Sequence, residues 1–124
     1  MHESLWVMAG GATGALMRYQ LGRMALRLWG PDYPYGTLLA NVLGGFAMGV
    51  LVGWLARAGG SEAMRLLLAV GVLGGFTTFS AFSLEVVLMI ERGAAMQAAG
   101  YIALSVLGAV IALFAGLSAV RALA

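Results

Sequence analysis

Thr77, Thr78, Ser80 and Ser83 place four hydroxyls in one short stretch, interleaved with Phe76, Phe79 and Phe82 and followed by Glu85. Hydroxyls donate and accept hydrogen bonds, and a phenyl ring has a positive edge, so such a ladder can handle a small ion. Glu85 adds a group that can carry a charge or exchange a proton. Covalent chemistry is not indicated. There is no nucleophile–base pair, no cluster of metal-ligating side chains and no cysteine, and the single histidine, His2, stands near the N-terminus. An enzyme is the least expected class.

The ladder interrupts what would otherwise be one apolar helix. Residues 66–73 and 86–90 are apolar, and between them lie Gly74-Gly75 and the hydroxyl series. Glycine favours a helix C-terminus, and Thr77 or Thr78 can cap a restart. A broken helix is expected, with carbonyls freed at the end of its first half and amides at the start of its second. At membrane depth such backbone is tolerated only inside protein or along a cavity, commonly at an ion or substrate site. A Gly-tolerant packing helix is the plainer alternative.

Composition places the chain in lipid. Of 124 residues 62% are hydrophobic and 10% charged, and mean hydropathy is +0.96; a soluble domain carries roughly 25% charged residues. The expected class is an all-α integral membrane protein, a single domain over 1–124 with about four transmembrane helices, the third broken. The seven basic residues are all arginine and scattered, and the net charge is +2. That excludes a nucleic-acid surface.

A first span is expected over about 5–27. It has no basic leader, so a retained span is expected and not a cleaved signal. Its Gly10-Gly11-Ala12-Thr13-Gly14 run is no dinucleotide fingerprint, because no strand precedes it. Gly10 and Gly14 fall on one face and suit close helix packing. Arg18 lies deep enough to be costly unless it snorkels or faces water or a partner. Trp29 to Tyr35, with both prolines of the chain, reads as an interfacial loop with an aromatic belt. A second span follows over about 36–56. In it Asn41 either bridges two helices or offers N–H donors to an anion, and Gly45, Gly49 and Gly53 repeat at spacing four. Ser61 can cap the third helix after the 57–62 turn. The last span lies in the uncharged 93–120 run, where Ser105 either completes the polar track or bonds back to its own helix.

With four spans both termini share one side. Arg57, Arg65 and Arg121 lie there, against Arg23, Arg27 and Arg92 opposite. Three against three gives no positive-inside preference. Insertion both ways is expected, giving an antiparallel dimer with its two-fold axis in the membrane plane.

Gly11-Ala12-Thr13-Gly14-Ala15-Leu16-Met17-Arg18-Tyr19, then Gly36-Thr37-Leu38-Leu39-Ala40-Asn41-Val42-Leu43-Gly44, then Gly74-Gly75-Phe76-Thr77-Thr78-Phe79-Ser80-Ala81-Phe82 resemble the three signatures of the CrcB/Fluc family of fluoride ion channels. The likeness covers nearly the whole chain, in order and spacing; Ala81 departs from a common threonine. The resemblance implies a dual-topology homodimer in the cell inner (plasma) membrane, with two antiparallel pores that export fluoride passively and relieve its toxicity. It implies that Asn41 donates to fluoride and that Phe79 and Phe82 form paired aromatic boxes. It further implies that the backbone carbonyls of Gly74 and Thr77 from both subunits hold a structural sodium ion. Thr78, Ser80 and Ser83 would form a polar track, Glu85 a pore-side carboxylate and Arg18 a vestibule arginine.

Physical chemistry agrees. Fluoride is strongly hydrated, so a pore must replace its water with close donors, and carbonyls at a helix end suit a cation. Glu85 shares a face with Thr78 and Phe82. It is expected to hand the ion along by competing for the same hydroxyl donors. The rival reading is a small dual-topology proton-coupled exporter using Glu85, which leaves Asn41 and the break unexplained.

Overall fold

The computed structural model describes residues 2–123 and is all helical, with no strand among the described residues. Helix α1 is His2–Trp29, α2 is Tyr35–Ala58 and α3 is the single turn Glu62–Arg65. A π-helical segment, Leu66–Leu73, runs on to the short α4, Gly74–Phe76. After a break come α5, Ser80–Glu91, and α6, Ala95–Ala122. Tyr35–Ala58, the interrupted run Glu62–Glu91 and Ala95–Ala122 are each long and apolar enough to cross a membrane. The protein is accordingly a multi-pass membrane protein. Helix α1 has 28 residues, but Arg18, Arg23 and Arg27 make it the most polar of the long helices.

Small residues set the packing. Two helices pair α2 with α6, and α1 lies along the π segment and α4. A Cβ placed on Gly49 would collide with the Leu113 carbonyl, and one on Gly71 would lie 2.8 Å from Gly10 Cα. The backbones therefore touch directly, as helices in lipid do when van der Waals contact replaces the hydrophobic drive. Both glycine faces expected from the sequence are used in this way. The only positive φ values among the described residues are at Gly30, Gly59 and Gly93, each just beyond a helix end. The Gly59 N–H closes α2 on Leu55 O at 2.9 Å. Ser61 caps α3 as expected, its Oγ accepting from Met64 N at 3.1 Å.

Two features differ from the sequence reading. The Gly74-Gly75 pair does not end the helix, which continues to Phe76; the chain leaves it at Thr77, with φ −84° and ψ 158°. Gly75 is required for contact, since its Cβ would stand 2.6 Å from Gly11 O. The π segment was not expected at all. Its wider turn rotates everything beyond it relative to a continuous α-helix, and so changes where the break points.

Candidate functional site

A helix that stops and restarts leaves amides and carbonyls without partners. Asn41, in the early turns of α2, answers two of them. Its Nδ2 donates to Thr78 O at 2.9 Å, and its Oδ1 accepts from Thr78 N at 2.8 Å. A side-chain amide thus stands in for a peptide and joins α2 to the break. This pair uses one of its two N–H groups.

The hydroxyls divide by task. Thr77 Oγ1 donates back to Leu73 O at 3.0 Å. Thr78 Oγ1 accepts from Ala81 N, in the first turn of α5, at 3.2 Å and lies 3.4 Å from Ser80 Oγ. Ser83 Oγ donates to Phe79 O at 2.8 Å. Arg18 neither snorkels nor stands free: its Nε donates to Gly75 O at 3.2 Å, placing a cation at the C-terminal end of α4. The carbonyls of Gly74 and Thr77 accept no hydrogen bond among the described residues. The amides four residues on are diverted, Thr78 N to Asn41 and Ala81 N to Thr78 Oγ1. Gly74, Phe79 and Ser80 are exposed, Phe79 to 78%.

Asn41, Thr77, Thr78, Phe79, Phe82 and Ser105 line one groove of about 410 Å³. The rings of Phe79 and Phe82 stand 5.6 Å apart at 45°. Ser105 is 6% exposed, and its Oγ has no hydrogen-bond partner among the described residues. It therefore does not bond back to its own helix. An unpaired buried hydroxyl is costly, and its residue is part of the groove lining.

Glu85 lies elsewhere. Its Oε1 accepts from Tyr101 Oη at 2.9 Å and its Oε2 from Thr37 Oγ1 at 3.0 Å, so α2, α5 and α6 meet at one carboxylate. The hydroxyls it binds are not those of Thr78 or Ser83. Thr37 and Glu85 also line a second cavity, of about 320 Å³, which opens beside Asp32, Tyr33 and Arg92. Tyr101 is fully buried between the two spaces; its ring lies 5.2 Å from that of Phe82. In the interfacial loop, burial pushes the Tyr33 phenol above its ordinary value, and the neighbouring Tyr35 adds to the effect.

Thr37 and Tyr101 are the partners that sequence reasoning did not single out. Each stands four residues before a chosen polar residue on its own helix, Thr37 before Asn41 and Tyr101 before Ser105. That spacing places each on its neighbour's face. Among the described residues no group of three or more His, Cys, Asp or Glu gathers to hold a metal.

Comparison with known proteins covers this whole assembly. A family described as "CrcB-like protein, Camphor Resistance (CrcB)" matches residues 5–117. A protein named "Fluoride-specific ion channel FluC" from Phenylobacterium zucineum (strain HLK1) is 62% identical over 123 residues, 98% of this chain and 97% of its own. Proteins of the same name from Caulobacter vibrioides (strain NA1000 / CB15N) and Novosphingobium aromaticivorans are 56% and 52% identical. They cover 98% and 100% of this chain and 97% and 100% of their own lengths. With a family match over residues 5–117 and relatives 52–62% identical over 98–100% of its length, the chain belongs to the CrcB-like protein family.

Proposed function

We propose that this protein is a fluoride-selective channel of the cell membrane, passing fluoride passively outward and so relieving its toxicity. The convergence of unspent hydrogen-bond donors on one groove carries the reading. Asn41, with an N–H not used at the break, and Ser105, whose hydroxyl has no partner among the described residues, both line that groove with Phe79 and Phe82. Donors together with positive ring edges favour a small, strongly hydrated anion. The choice of fluoride rests on the relatives, which carry that name.

The channel is an antiparallel homodimer of four-span subunits with two pores. Gly74, Phe79 and Ser80 are exposed at the break, in the middle of a run that crosses the membrane. Irregular backbone cannot face lipid. A second copy, inserted the other way, would cover this face and bring its own break against it. The balanced arginines permit that insertion.

A sodium ion fits the same place. The Gly74 and Thr77 carbonyls offer oxygen donors at a helix end, and among the described residues no acidic or imidazole cluster competes to select a transition metal. When bound, sodium supplies a positive charge that satisfies these carbonyls. The chain's own residues do the rest: Asn41 and Thr78 fix the break, and Arg18 donates a hydrogen bond to the adjacent Gly75 carbonyl.

Reconstitution of the purified protein in liposomes tests the reading. Fluoride efflux is expected without a proton gradient, and chloride efflux is not. Fluoride movement that requires a proton gradient would favour the exporter that uses Glu85 instead.

A further inference from the structure

The loop at 30–34 does more than join α1 to α2. Its Tyr33 turns inward and packs against the buried cluster of Phe82, Met89, Ala98 and Tyr101. The Tyr33 and Tyr101 rings meet edge to face, with centroids 5.5 Å apart and planes at 82°. On the outer side Tyr33 touches Tyr35 at 5.1 Å, and Tyr35 touches Trp29 at 5.5 Å. Pro31 and Pro34 bracket Tyr33 and restrict the backbone that carries it. The belt at the headgroups is thus continuous with the ring that binds Glu85.

Tyr101 is fully buried, with its Oη 2.9 Å from Glu85 Oε1. Phe82 bounds its ring on one side and the Tyr33 edge on another. Tyr33 also forms part of the wall of the cavity that opens onto Glu85. If Tyr33 is removed, that cavity extends to the Tyr101 ring. The ring then loses its support on that side, while Phe82 remains on the other, and the Tyr101 hydroxyl is held less firmly on Glu85. A carboxylate short of a donor turns toward others, and Asn41 and Ser105, one helical turn on from Thr37 and Tyr101, carry the donors of the groove.

We propose that Tyr33 is a positioning residue for the pore: its ring holds the Tyr101 hydroxyl on Glu85 and so keeps that carboxylate from competing with the permeating anion. The inference rests on the fluoride-channel reading above. The hydroxyl of Tyr33 makes no hydrogen bond among the described residues, so the ring alone is required.

Liposome fluoride efflux in a double-mutant series tests this. Tyr33→Ala is expected to lower efflux about tenfold, the order of effect of one charge brought a few ångströms nearer the path. Tyr33→Phe should stay within about twofold of wild type. Tyr33→Ala added to Glu85→Gln should lie within about twofold of Glu85→Gln alone, because no charge is left to release. Tyr33→Leu, which fills the space without a ring edge, should repeat the pattern if Tyr33→Ala fails to assemble. An equal loss in both backgrounds would make the ring mere packing and overturn the proposal, as would undiminished efflux from Tyr33→Ala and Tyr33→Leu. A wild-type protein that carries no fluoride would instead overturn the channel reading itself.

Discussion

Asn41 and the Thr78 peptide exchange two hydrogen bonds, Nδ2 to O at 2.9 Å and N to Oδ1 at 2.8 Å. One side chain on α2 therefore shapes the backbone on which the candidate pore is built.

Asn41→Asp should abolish fluoride efflux and also loosen the break. Aspartate keeps an acceptor for Thr78 N but sets a carboxylate oxygen against Thr78 O. It loses one hydrogen bond and gains a repulsion, a cost of about 1–3 kcal/mol. Efflux from liposomes and thermal unfolding in detergent measure the two effects. Wild-type flux from this variant would remove Asn41 from the pore.

The ranking of four variants separates channel from exporter. Phe79→Ile and Phe82→Ile remove ring edges at the groove and should each reduce efflux severely. Glu85→Gln should be milder, because a side-chain carbonyl can still accept from Tyr101 or Thr37. Thr77→Val loses only the bond to Leu73 O and should retain flux. If only Glu85→Gln loses efflux, the proton-coupled reading replaces the channel.

Gly74 and Gly75 should fail in different ways. A Cβ on Gly75 meets Gly11 O at 2.6 Å, whereas one on Gly74 meets nothing nearer than Ala69 O at 3.7 Å. Gly75→Ala should therefore destabilise the subunit by about 1–3 kcal/mol through overpacking. Gly74→Val has room within the subunit, so its damage should appear in dimer formation and in any sodium dependence of stability. Unfolding in detergent and size-exclusion behaviour with and without sodium distinguish the two. A Gly74→Val protein with native dimer and native sodium response would sink the proposed cation site.

Orientation is open to a direct test. Two lysines added to the 57–62 turn should bias insertion and lower activity of the variant expressed alone. An oppositely biased copy should restore it. Tag accessibility on whole cells reads the orientation, and a native chain found in one orientation only would remove the antiparallel dimer.

The sequence by itself determined the membrane class, the glycine packing faces and the break in the apolar run after the 57–62 turn; of the four spans it led one to expect, three are long and apolar enough to cross a membrane. It could do so because these depend on local composition and periodicity, and lipid leaves few alternatives for an apolar run. It also singled out Asn41, Phe79, Phe82 and Ser105, which the structure brings to one groove. Tertiary structure decided the rest. Whether Arg18 snorkels or binds depends on α4 ending beside α1, and no window of sequence contains both Arg18 and Gly75. The π turn before Gly74 lies where Gly71 meets Gly10 of α1 backbone to backbone, a contact between residues far apart in sequence. Glu85 shares a helical face with Thr78 in any sequence reading. Its actual donors, Thr37 and Tyr101, come from α2 and α6, because a carboxylate drawn out of water takes the hydroxyls that packing brings within reach.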